Sequence, residues 1–291
     1  MRAIVIGTSG QLAIELRRRP CPEGLELLPA VKLDVTDAAG LTSKLDELRP
    51  ELVLNASAYT AVDRAENERE RAFAVNAGGP RALAEWCTQR GAALVHVSTD
   101  YVFDGSKRGP YVETDATAPI GAYGESKLAG EEAVRSGCAQ HVILRTSWVF
   151  SAHGQNFLKT MLRLAAERDE LRVVADQHGR PTAASDLADA MLLVASRIRA
   201  GTPSFGTYHF AGAGETTWHG FAQAIVEEQA RLTGKKPRVS PIATHEYPTP
   251  ARRPANSVLA TSALELDYGM VPRPWLDGAR EAIGELVSAP R

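Results

Sequence analysis

The sequence has few cysteines and no excess of charge of either sign. Its three cysteines, Cys21, Cys87 and Cys138, are odd in number and widely spaced. They match neither a disulfide framework nor a zinc site and favour a reducing compartment. The 33 basic and 35 acidic residues leave a net charge of −2. This balance gives no electrostatic reason to expect nucleic acid or a membrane surface as a partner.

Long apolar runs and metal-ligand spacings are missing as well. No run approaches the length of a membrane span, and an apolar strand pattern follows Met1 almost at once, leaving no room for a signal peptide. The histidines do not recur at ligand-like spacings, so they predict no metal site. We therefore expect a cytoplasmic protein. Its 291 residues exceed one average domain and allow a large core.

A glycine turn follows the first apolar segment. Arg2–Ile6 has the pattern of a short buried strand, and the run Gly7-Thr8-Ser9-Gly10-Gln11-Leu12-Ala13 leads from it into a helix pattern. Gly7 permits a tight turn, and Gly10 lets the backbone approach a diphosphate closely, which the amides and dipole of the helix then stabilise. The segment predicts a dinucleotide site. A plain turn between strand and helix is the alternative.

Strand and helix patterns alternate along the first half of the chain. This alternation predicts an α/β fold with a Rossmann-type doubly wound parallel sheet, whose ligands bind at the carboxyl ends of the strands. We predict a dinucleotide-binding domain over 1–146, rejoined by 184–211. A smaller C-terminal substrate-binding lobe is predicted over 147–183 and 212–291. The prolines between Tyr247 and Pro254 exclude a regular helix there.

Several predicted strands end in residues that suit ligand binding: Gly7, Ala56, Thr99 and Thr146. The carboxyl ends of parallel strands lie at one edge of a sheet, so these residues should lie close together. The small residues in Ala56-Ser57-Ala58-Tyr59 suit close approach by an adenosine or a ribose. Packing of a helix against the sheet explains them equally well.

A tyrosine and a lysine four residues apart form the main candidate for chemistry. Tyr123 and Lys127 share one helix face, where the ammonium is expected to lower the pKa of the phenol from its usual value of about 10. Thr99 ends an apolar run and would add a hydroxyl to the same site. Because this spacing also arises by chance, the prediction depends on the glycine turn and strand ends around it.

These features together resemble the extended short-chain dehydrogenase/reductase superfamily. Within it, longer stretches across essentially the whole chain are similar to the dTDP-4-dehydrorhamnose reductase family. The stretches are Gly7 to Leu12, Ser98 to Gly105, Tyr123 to Glu131, Arg145 to Phe150, Asp176 to Thr182, Tyr247 to Pro254, and Asn256-Ser257.

The resemblance implies NAD(P)H-dependent reduction of dTDP-4-dehydro-L-rhamnose (dTDP-6-deoxy-L-lyxo-4-hexulose) to dTDP-L-rhamnose. Tyr123 would protonate the developing alkoxide, Lys127 would bind the nicotinamide ribose, and Thr99 would hold the carbonyl oxygen. The implied cofactor-binding residues are Gly7, Ser9, Gly10, Gln11, Leu12, Asp34, Val35, Ala56, Ser57, Ala58, Tyr59, Tyr123 and Lys127.

The resemblance also implies a substrate site that contains Thr99, Asp100, Trp148, Arg252 and Arg253. Trp148 would lie against the sugar or base, with a core aromatic as the alternative. The two arginines would bind the diphosphate through their planar forks, with a solvated surface pair as the alternative.

The choice of cofactor depends on the end of the second strand. No acid follows it there, and the basic residues Arg17, Arg18 and Lys32 are near in sequence. Because an acid favours NADH and basic residues tolerate a 2′-phosphate, we expect NADPH, with NADH as a second cofactor.

Some members of the family dimerise through Mg²⁺ bound by carboxylates. Glu15 matches one of these ligands, but Ser185 stands where a second carboxylate is expected, and Asp186 is one position away. Since Mg²⁺ favours several oxygen ligands in near-octahedral geometry, we expect no Mg²⁺ site and a monomer or weak homodimer.

Two other functions are compatible with the same motifs. One is a different deoxysugar-nucleotide 4-ketoreductase or epimerase, since the C-terminal lobe sets substrate choice. The other is a non-catalytic NADP-binding regulatory subunit, like that of methionine adenosyltransferase. The intact set of Thr99, Tyr123 and Lys127 argues against the second, because binding alone needs no phenol.

Overall fold

The computed structural model describes residues 1–288. Its strands are β1 (Arg2–Ile6), β2 (Glu26–Leu27), β3 (Leu52–Asn55), β4 (Ala93–Thr99), β5 (His141–Thr146), β6 (Val149–Phe150), β7 (Glu170–Val174), β8 (His178–Gly179), β9 (Thr182–Ala183), β10 (Gly206–His209), β11 (Thr216–Thr217) and β12 (Arg238–Ile242).

The helices alternate with these strands. They are α1 (Gln11–Arg18), α2 (Ala38–Leu48), α3 (Val62–Ala65), α4 (Arg69–Phe73), α5 (Gly79–Arg90), α6 (Ala122–Gly137), α7 (Phe157–Glu167), α8 (Ala184–Arg199), α9 (Trp218–Thr233), α10 (Ser262–Tyr268) and α11 (Trp275–Ser288). A π-helical segment, Ala74–Gly78, joins α4 to α5, and short 3₁₀ turns cover Asp100–Val102 and Thr244–Glu246.

Six strands form the central sheet in the order β10-β5-β4-β3-β1-β2, and every pair is parallel. β3 and β5 are almost wholly buried, as expected for strands covered on both faces. One face of the sheet packs against α1 and α8, and the other against α2, α5 and α6. This confirms the predicted Rossmann-type fold.

A second apolar cluster lies outside the sheet. It is formed by side chains of α7, α9 and α11 together with those of β6, β7 and β9. The parallel pairs β7–β12 and β6–β9 and the antiparallel pair β8–β11 support it. This cluster is the core of a smaller lobe beside the sheet.

The C-terminal part of the chain does not belong wholly to that lobe. Leu264 and Tyr268 of α10 are buried in the sheet core, and the Tyr208 hydroxyl of β10 donates to Asp267 at 2.6 Å. The range 212–291 that is predicted for the lobe therefore includes a helix, α10, that packs on the sheet. Its apolar face covers β10 at the edge of the sheet. Among residues 1–288, no helix is long and apolar enough to cross a membrane.

A close approach between α6 and the π-helical segment positions the helix that carries Tyr123. A Cβ atom on Gly130 would lie 2.0 Å from the backbone oxygen of Asn76, which has no freedom to move aside. The absence of a side chain at Gly130 therefore sets the distance between these two elements.

We expect Gly130→Ala to lower the free energy of unfolding by ~1–3 kcal/mol, because the added methyl forces two packed helices apart. Gly284→Ala in α11 is the matched control, since its Cβ would meet nothing within 4 Å. That change should be neutral or stabilising by up to about 1 kcal/mol. Urea unfolding of both variants tests this, and equal effects would contradict it.

Candidate active site

A cavity of about 1040 Å³ opens at the carboxyl ends of the central strands, between the sheet and the smaller lobe. Ligand pockets in proteins usually measure about 300–1,000 Å³, so this cavity is at the upper end of that range. Many of the residues predicted from the sequence line it: Ser9, Gly10, Gln11, Leu12, Ala56, Ser57, Ala58, Thr99, Asp100, Tyr123, Lys127, Trp148 and Arg253.

The glycine turn is built to receive an anion. Gly7 adopts a φ of +109°, a backbone conformation that other residues rarely take, and lies against the backbone of Ala56. Gly10 is the N-cap of α1 and offers no side chain to the first amides of the helix, and the first turn contains no acid. The unpaired amides and helix dipole therefore fit the diphosphate of a dinucleotide.

Two arginines near this turn are already engaged. Arg17 donates to the carbonyl oxygens of Ala13, Val5 and Gly7 at 2.9 to 3.2 Å. Arg18 pairs with Glu285 at 2.7 Å. The donors of Arg17 thus hold the turn, and Arg18 forms an exposed ion pair with a neighbouring helix. Of the three basic residues, only the exposed Lys32 is available.

Helix α6 carries Tyr123 and Lys127 into the cavity from its first turns. The amide of Ala122 donates to Glu66 at 2.9 Å and fixes the start of the helix. Lys127 is 2% exposed, and its Nζ atom donates to the backbone oxygen of Val97 at 2.6 Å. A buried cation is thus held at the end of β4, one helical turn from Tyr123.

The predicted lowering of the Tyr123 pKa is wrong. Burial raises the pKa of the phenol to about 12, the hydroxyl of Thr99 opposes this shift, and the charge of Asp100 adds to it. Lys127 does not counter burial, because its ammonium is directed at Val97. The phenol is therefore protonated at neutral pH, which is the state that a proton donor requires.

Burial also weakens the charge of Lys127 itself. It lowers the pKa of the ammonium to about 8, although the negative charge of Glu131 raises it. Glu131 is wholly buried one turn further along α6 and binds Arg145 of β5 through two hydrogen bonds of 2.9 and 2.7 Å. The Arg145 fork holds the pKa of Glu131 below its usual range against the effect of burial. Arg135 also donates to Glu131 at 2.9 Å, so two guanidinium groups share this carboxylate.

Thr99 and Asp100 form the adjoining wall. The hydroxyl of Thr99 donates to Asp100 at 2.9 Å and accepts from the amide of Tyr101. Burial raises the pKa of Asp100 to about 7, while hydrogen bonds from Ser257 and Thr99 oppose the shift. The carboxyl of Asp100 is therefore a hydrogen-bonding group that titrates near neutrality.

Asn76 is a site residue that the sequence analysis missed. Its side chain accepts from the Tyr59 amide at 2.8 Å, and donates to the Tyr59 carbonyl and to the Ser126 hydroxyl at 3.0 Å. Ser126 in turn donates to the carbonyl of Tyr123. Asn76 thus ties the loop at the end of β3 to α6. A π-helical segment around Asn76, often a mark of functional sites, was not apparent from the helix pattern.

Trp148 forms the wall opposite the glycine turn with a second tryptophan. Its φ of +48° is unusual for a non-glycine residue, and its ring stacks on that of Trp218 at 3.6 Å. A Cβ atom on Gly179 would lie 2.4 Å from the Trp148 ring, so only glycine fits there. Both tryptophans line the cavity. Trp218 was missed because nothing in its local sequence indicates this stack.

Other predicted residues lie outside the cavity lining. Gly7 supports the turn from below, and Tyr59 is bound through its backbone to Asn76. Asp34 is exposed and accepts from Thr36, while Val35 is buried against Gly79. Arg252 is exposed and lines a separate small pocket beside α6. Only Arg253 of the two arginines lines the cavity.

The side chains considered for Mg²⁺ are engaged elsewhere. Asp186 pairs with Arg273 at 2.8 Å, and Glu15 lies 3.6 Å from His153. Within residues 1–288, no group of three His, Cys, Asp or Glu side chains is arranged to hold a metal ion. The carboxylate of Asp186 thus has a guanidinium as its partner.

Comparison with known proteins agrees with this architecture. A family model described as "RmlD substrate binding domain" matches residues 1–288. The chain is similar to the dTDP-4-dehydrorhamnose reductase of Sinorhizobium fredii, with 44% identity over 291 residues, 99% of this chain and 98% of the relative. The chain belongs to the dTDP-4-dehydrorhamnose reductase (RmlD) family. This confirms the resemblance inferred from the sequence motifs.

Two further RmlD-family relatives support the assignment. The dTDP-4-dehydrorhamnose reductase of Escherichia coli K12 is 42% identical over 98% of both chains. A crystal structure of the dTDP-4-dehydrorhamnose reductase of Bacillus anthracis in complex with NADP has a TM-score of 0.88 and 38% identity. It covers 98% of this chain and 99% of that one. The RmlD-family fold therefore extends over both the sheet and the smaller lobe.

Proposed function

We propose that the protein reduces the 4-keto group of dTDP-4-dehydro-L-rhamnose with NADPH to give dTDP-L-rhamnose. The observation that carries this proposal is the placement of Thr99, Tyr123 and Lys127 in one cavity with an uncapped glycine turn. The chain that holds them belongs to a family whose curated members are named dTDP-4-dehydrorhamnose reductase.

The residues of the cavity suit the proton side of such a reduction. When bound, the nicotinamide supplies a hydride to the carbonyl carbon. Tyr123 donates its phenolic proton to the carbonyl oxygen as that oxygen gains negative charge. Thr99 lines the same cavity and would hold the carbonyl oxygen of the substrate. Lys127, held at the Val97 carbonyl one helical turn from Tyr123, would bind the nicotinamide ribose.

The substrate and cofactor would bind on opposite sides of this centre. The glycine turn, Ser9 to Leu12, would hold the cofactor diphosphate on the α1 amides. Trp148 would lie against the sugar, with Asp100 as a hydrogen-bond partner for its hydroxyl groups. The NADP complex of the B. anthracis relative supports NADPH as the cofactor. NADH is proposed as a second cofactor, because Lys32 is the one residue of Arg17, Arg18 and Lys32 that is left to bind a 2′-phosphate.

Turnover of the purified protein tests the proposal. Enzymatically made dTDP-4-dehydro-L-rhamnose and NADPH should give cofactor oxidation with dTDP-L-rhamnose as the product. Parallel assays with other 4-keto deoxysugar nucleotides measure substrate choice. Cofactor binding without oxidation would contradict the proposal and favour a binding subunit. Preferential oxidation with another sugar nucleotide would favour a related reductase.

The rate of reduction should fall as the pH rises through about 8. Lys127, whose pKa burial lowers to about 8, is protonated below that pH and loses its charge above it. Tyr123 keeps its proton over the same range because its pKa is about 12. Above that pH, we expect kcat/KM to fall by up to about tenfold for each pH unit. A pH–rate profile flat from 6 to about 10 would contradict the role of Lys127.

We propose further that activity and assembly do not require Mg²⁺, and that the protein is a monomer or weak homodimer. The ion pair between Asp186 and Arg273 supports this, since the guanidinium already neutralises the carboxylate. EDTA should change neither the turnover nor the elution volume on size exclusion. A loss of turnover or a change in elution volume that added Mg²⁺ reverses would refute this proposal.

The three free cysteines support our proposal of a reducing, cytosolic location.

A further inference from the structure

An ion pair joins the two parts of the protein across the mouth of the cavity. Asp63 lies in α3, just after the end of β3, and Arg253 lies in the proline-rich segment of the smaller lobe. The guanidinium binds both carboxylate oxygens, with Nη1–Oδ1 at 2.6 Å and Nη2–Oδ2 at 2.7 Å. The amide of Ala251 also donates to Asp63. Both charged side chains line the cavity.

The hydrogen bonds of Arg253 leave one edge of its guanidinium unused. The group has five N–H donors in a fixed plane. Nη1 donates to Asp63 and to the carbonyl of Ala251, and Nη2 donates once to Asp63. The Nε–H and the second Nη2–H have no acceptor among residues 1–288, and in a guanidinium these two donors lie parallel on one edge. Such a pair matches two oxygens of a phosphate.

The other cations around the cavity are less suited to the same task. Arg172 is exposed and pairs with Glu246 at 2.9 Å. Arg168 is exposed at the C-terminal end of α7, where the helix dipole disfavours an anion. Lys127 is buried beneath the reaction centre. Arg253 alone combines partial burial, a bidentate anchor and an unused donor edge.

We propose that Asp63 is a positioning residue that holds Arg253 so that its unused edge binds the diphosphate of the sugar nucleotide. This rests on the proposed function, which supplies a diphosphate in the substrate. Asp63 fixes a side chain that would otherwise lose rotamer freedom on binding. Because the carboxylate also offsets the positive charge, the fork geometry rather than net charge provides the recognition. The cofactor turn is a separate site, so NADPH binding should not depend on Asp63.

The test compares Asp63→Asn with Asp46→Asn. Asp46 binds Arg90 with a similar fork of 2.8 and 3.0 Å on the outer surface, away from the cavity. We expect Asp63→Asn to raise KM for dTDP-4-dehydro-L-rhamnose about tenfold with little change in kcat, the loss expected for an anchored anion contact. The dissociation constant of dTDP, measured by calorimetry, should rise equally. Asp63→Glu should recover part of the loss, and Asp46→Asn should change neither constant.

The outcomes separate this proposal from the proposed function. If Asp63→Asn leaves KM and the dissociation constant of dTDP unchanged, the positioning role is refuted. A decrease in both constants would also refute it, because it would show that the carboxylate competes with the diphosphate. If the wild-type protein neither binds dTDP nor reduces the sugar nucleotide, the proposed function fails instead. NADPH affinity, measured by fluorescence on both variants, should remain that of the wild type. A parallel loss of NADPH binding would also refute the assignment.

Discussion

Tyr123→Phe should lower the turnover of dTDP-4-dehydro-L-rhamnose by about 10²–10⁴-fold, the usual contribution of a positioned general acid. The variant removes only the hydroxyl of a ring that packs edge-on against Tyr101, so the cavity should keep its shape. NADPH binding should change little, because the glycine turn and Lys127 are intact. Steady-state kinetics and a fluorescence titration with NADPH measure the two effects separately.

Tyr208→Phe provides the matched control for the loss of a phenol. The Tyr208 hydroxyl donates to Asp267 at 2.6 Å on the edge of the sheet, away from the cavity. Its loss should lower stability by about 1 kcal/mol and leave turnover near that of the wild type. If Tyr123→Phe retains wild-type activity, Tyr123 is not the acid. If both variants lose activity equally, the loss reflects folding rather than proton donation.

Glu131→Gln should lower the free energy of unfolding by ~3–5 kcal/mol, because it leaves the buried guanidinium of Arg145 without its charged partner. Arg145 is 3% exposed, and its charge lies over the Phe103 ring. The pKa of Glu131 is held below its usual range, so its contribution is present above the pKa of an unfolded-state glutamate and is lost as the pH falls through the folded-state pKa. The difference in the free energy of unfolding between the variant and the wild type should therefore become smaller in acid. Urea unfolding at several pH values measures this difference.

A double variant distinguishes the loss of the ion pair from the burial of an unpaired charge. Replacing both members, Glu131→Leu with Arg145→Met, should recover much of the stability, since an apolar pair of similar volume often replaces a buried ion pair without loss. Glu131 also raises the pKa of Lys127. A folded Glu131→Gln protein should thus lose activity at a lower pH than the wild type. An unchanged pH–rate profile would show that Glu131 acts on stability alone.

The central sheet could be predicted because each of its main strands is indicated by a short run of consecutive residues. β3 begins with the apolar run Leu52 to Leu54, and β5 contains the apolar run Val142 to Leu144. Thr99, Tyr123 and Lys127 were also predictable, because a shared helix face and a strand end at the same sheet edge bring them together. In each case the information lies within a few consecutive residues.

The remaining features depend on contacts between distant segments. Asp63 and Arg253 are 190 positions apart, and the stack of Trp148 on Trp218 joins the segment between β5 and β6 to the start of α9. The pKa of Tyr123 followed burial rather than its sequence neighbour Lys127, since the ammonium is drawn to the Val97 carbonyl. Sequence spacing identifies which groups share a face, but not how far each one is desolvated or which partner it takes.

The most direct test of the account follows the transferred hydride and the oxidation of the cofactor together. NADPH carrying deuterium at both C4 positions of the nicotinamide should transfer one deuterium to C4 of the sugar in the wild type, with one cofactor oxidised for each dTDP-L-rhamnose formed. NMR of the product and absorbance at the NADPH band measure the two quantities. Deuterium at another carbon, or conversion of the sugar without net oxidation of NADPH, would contradict reduction of the 4-keto group.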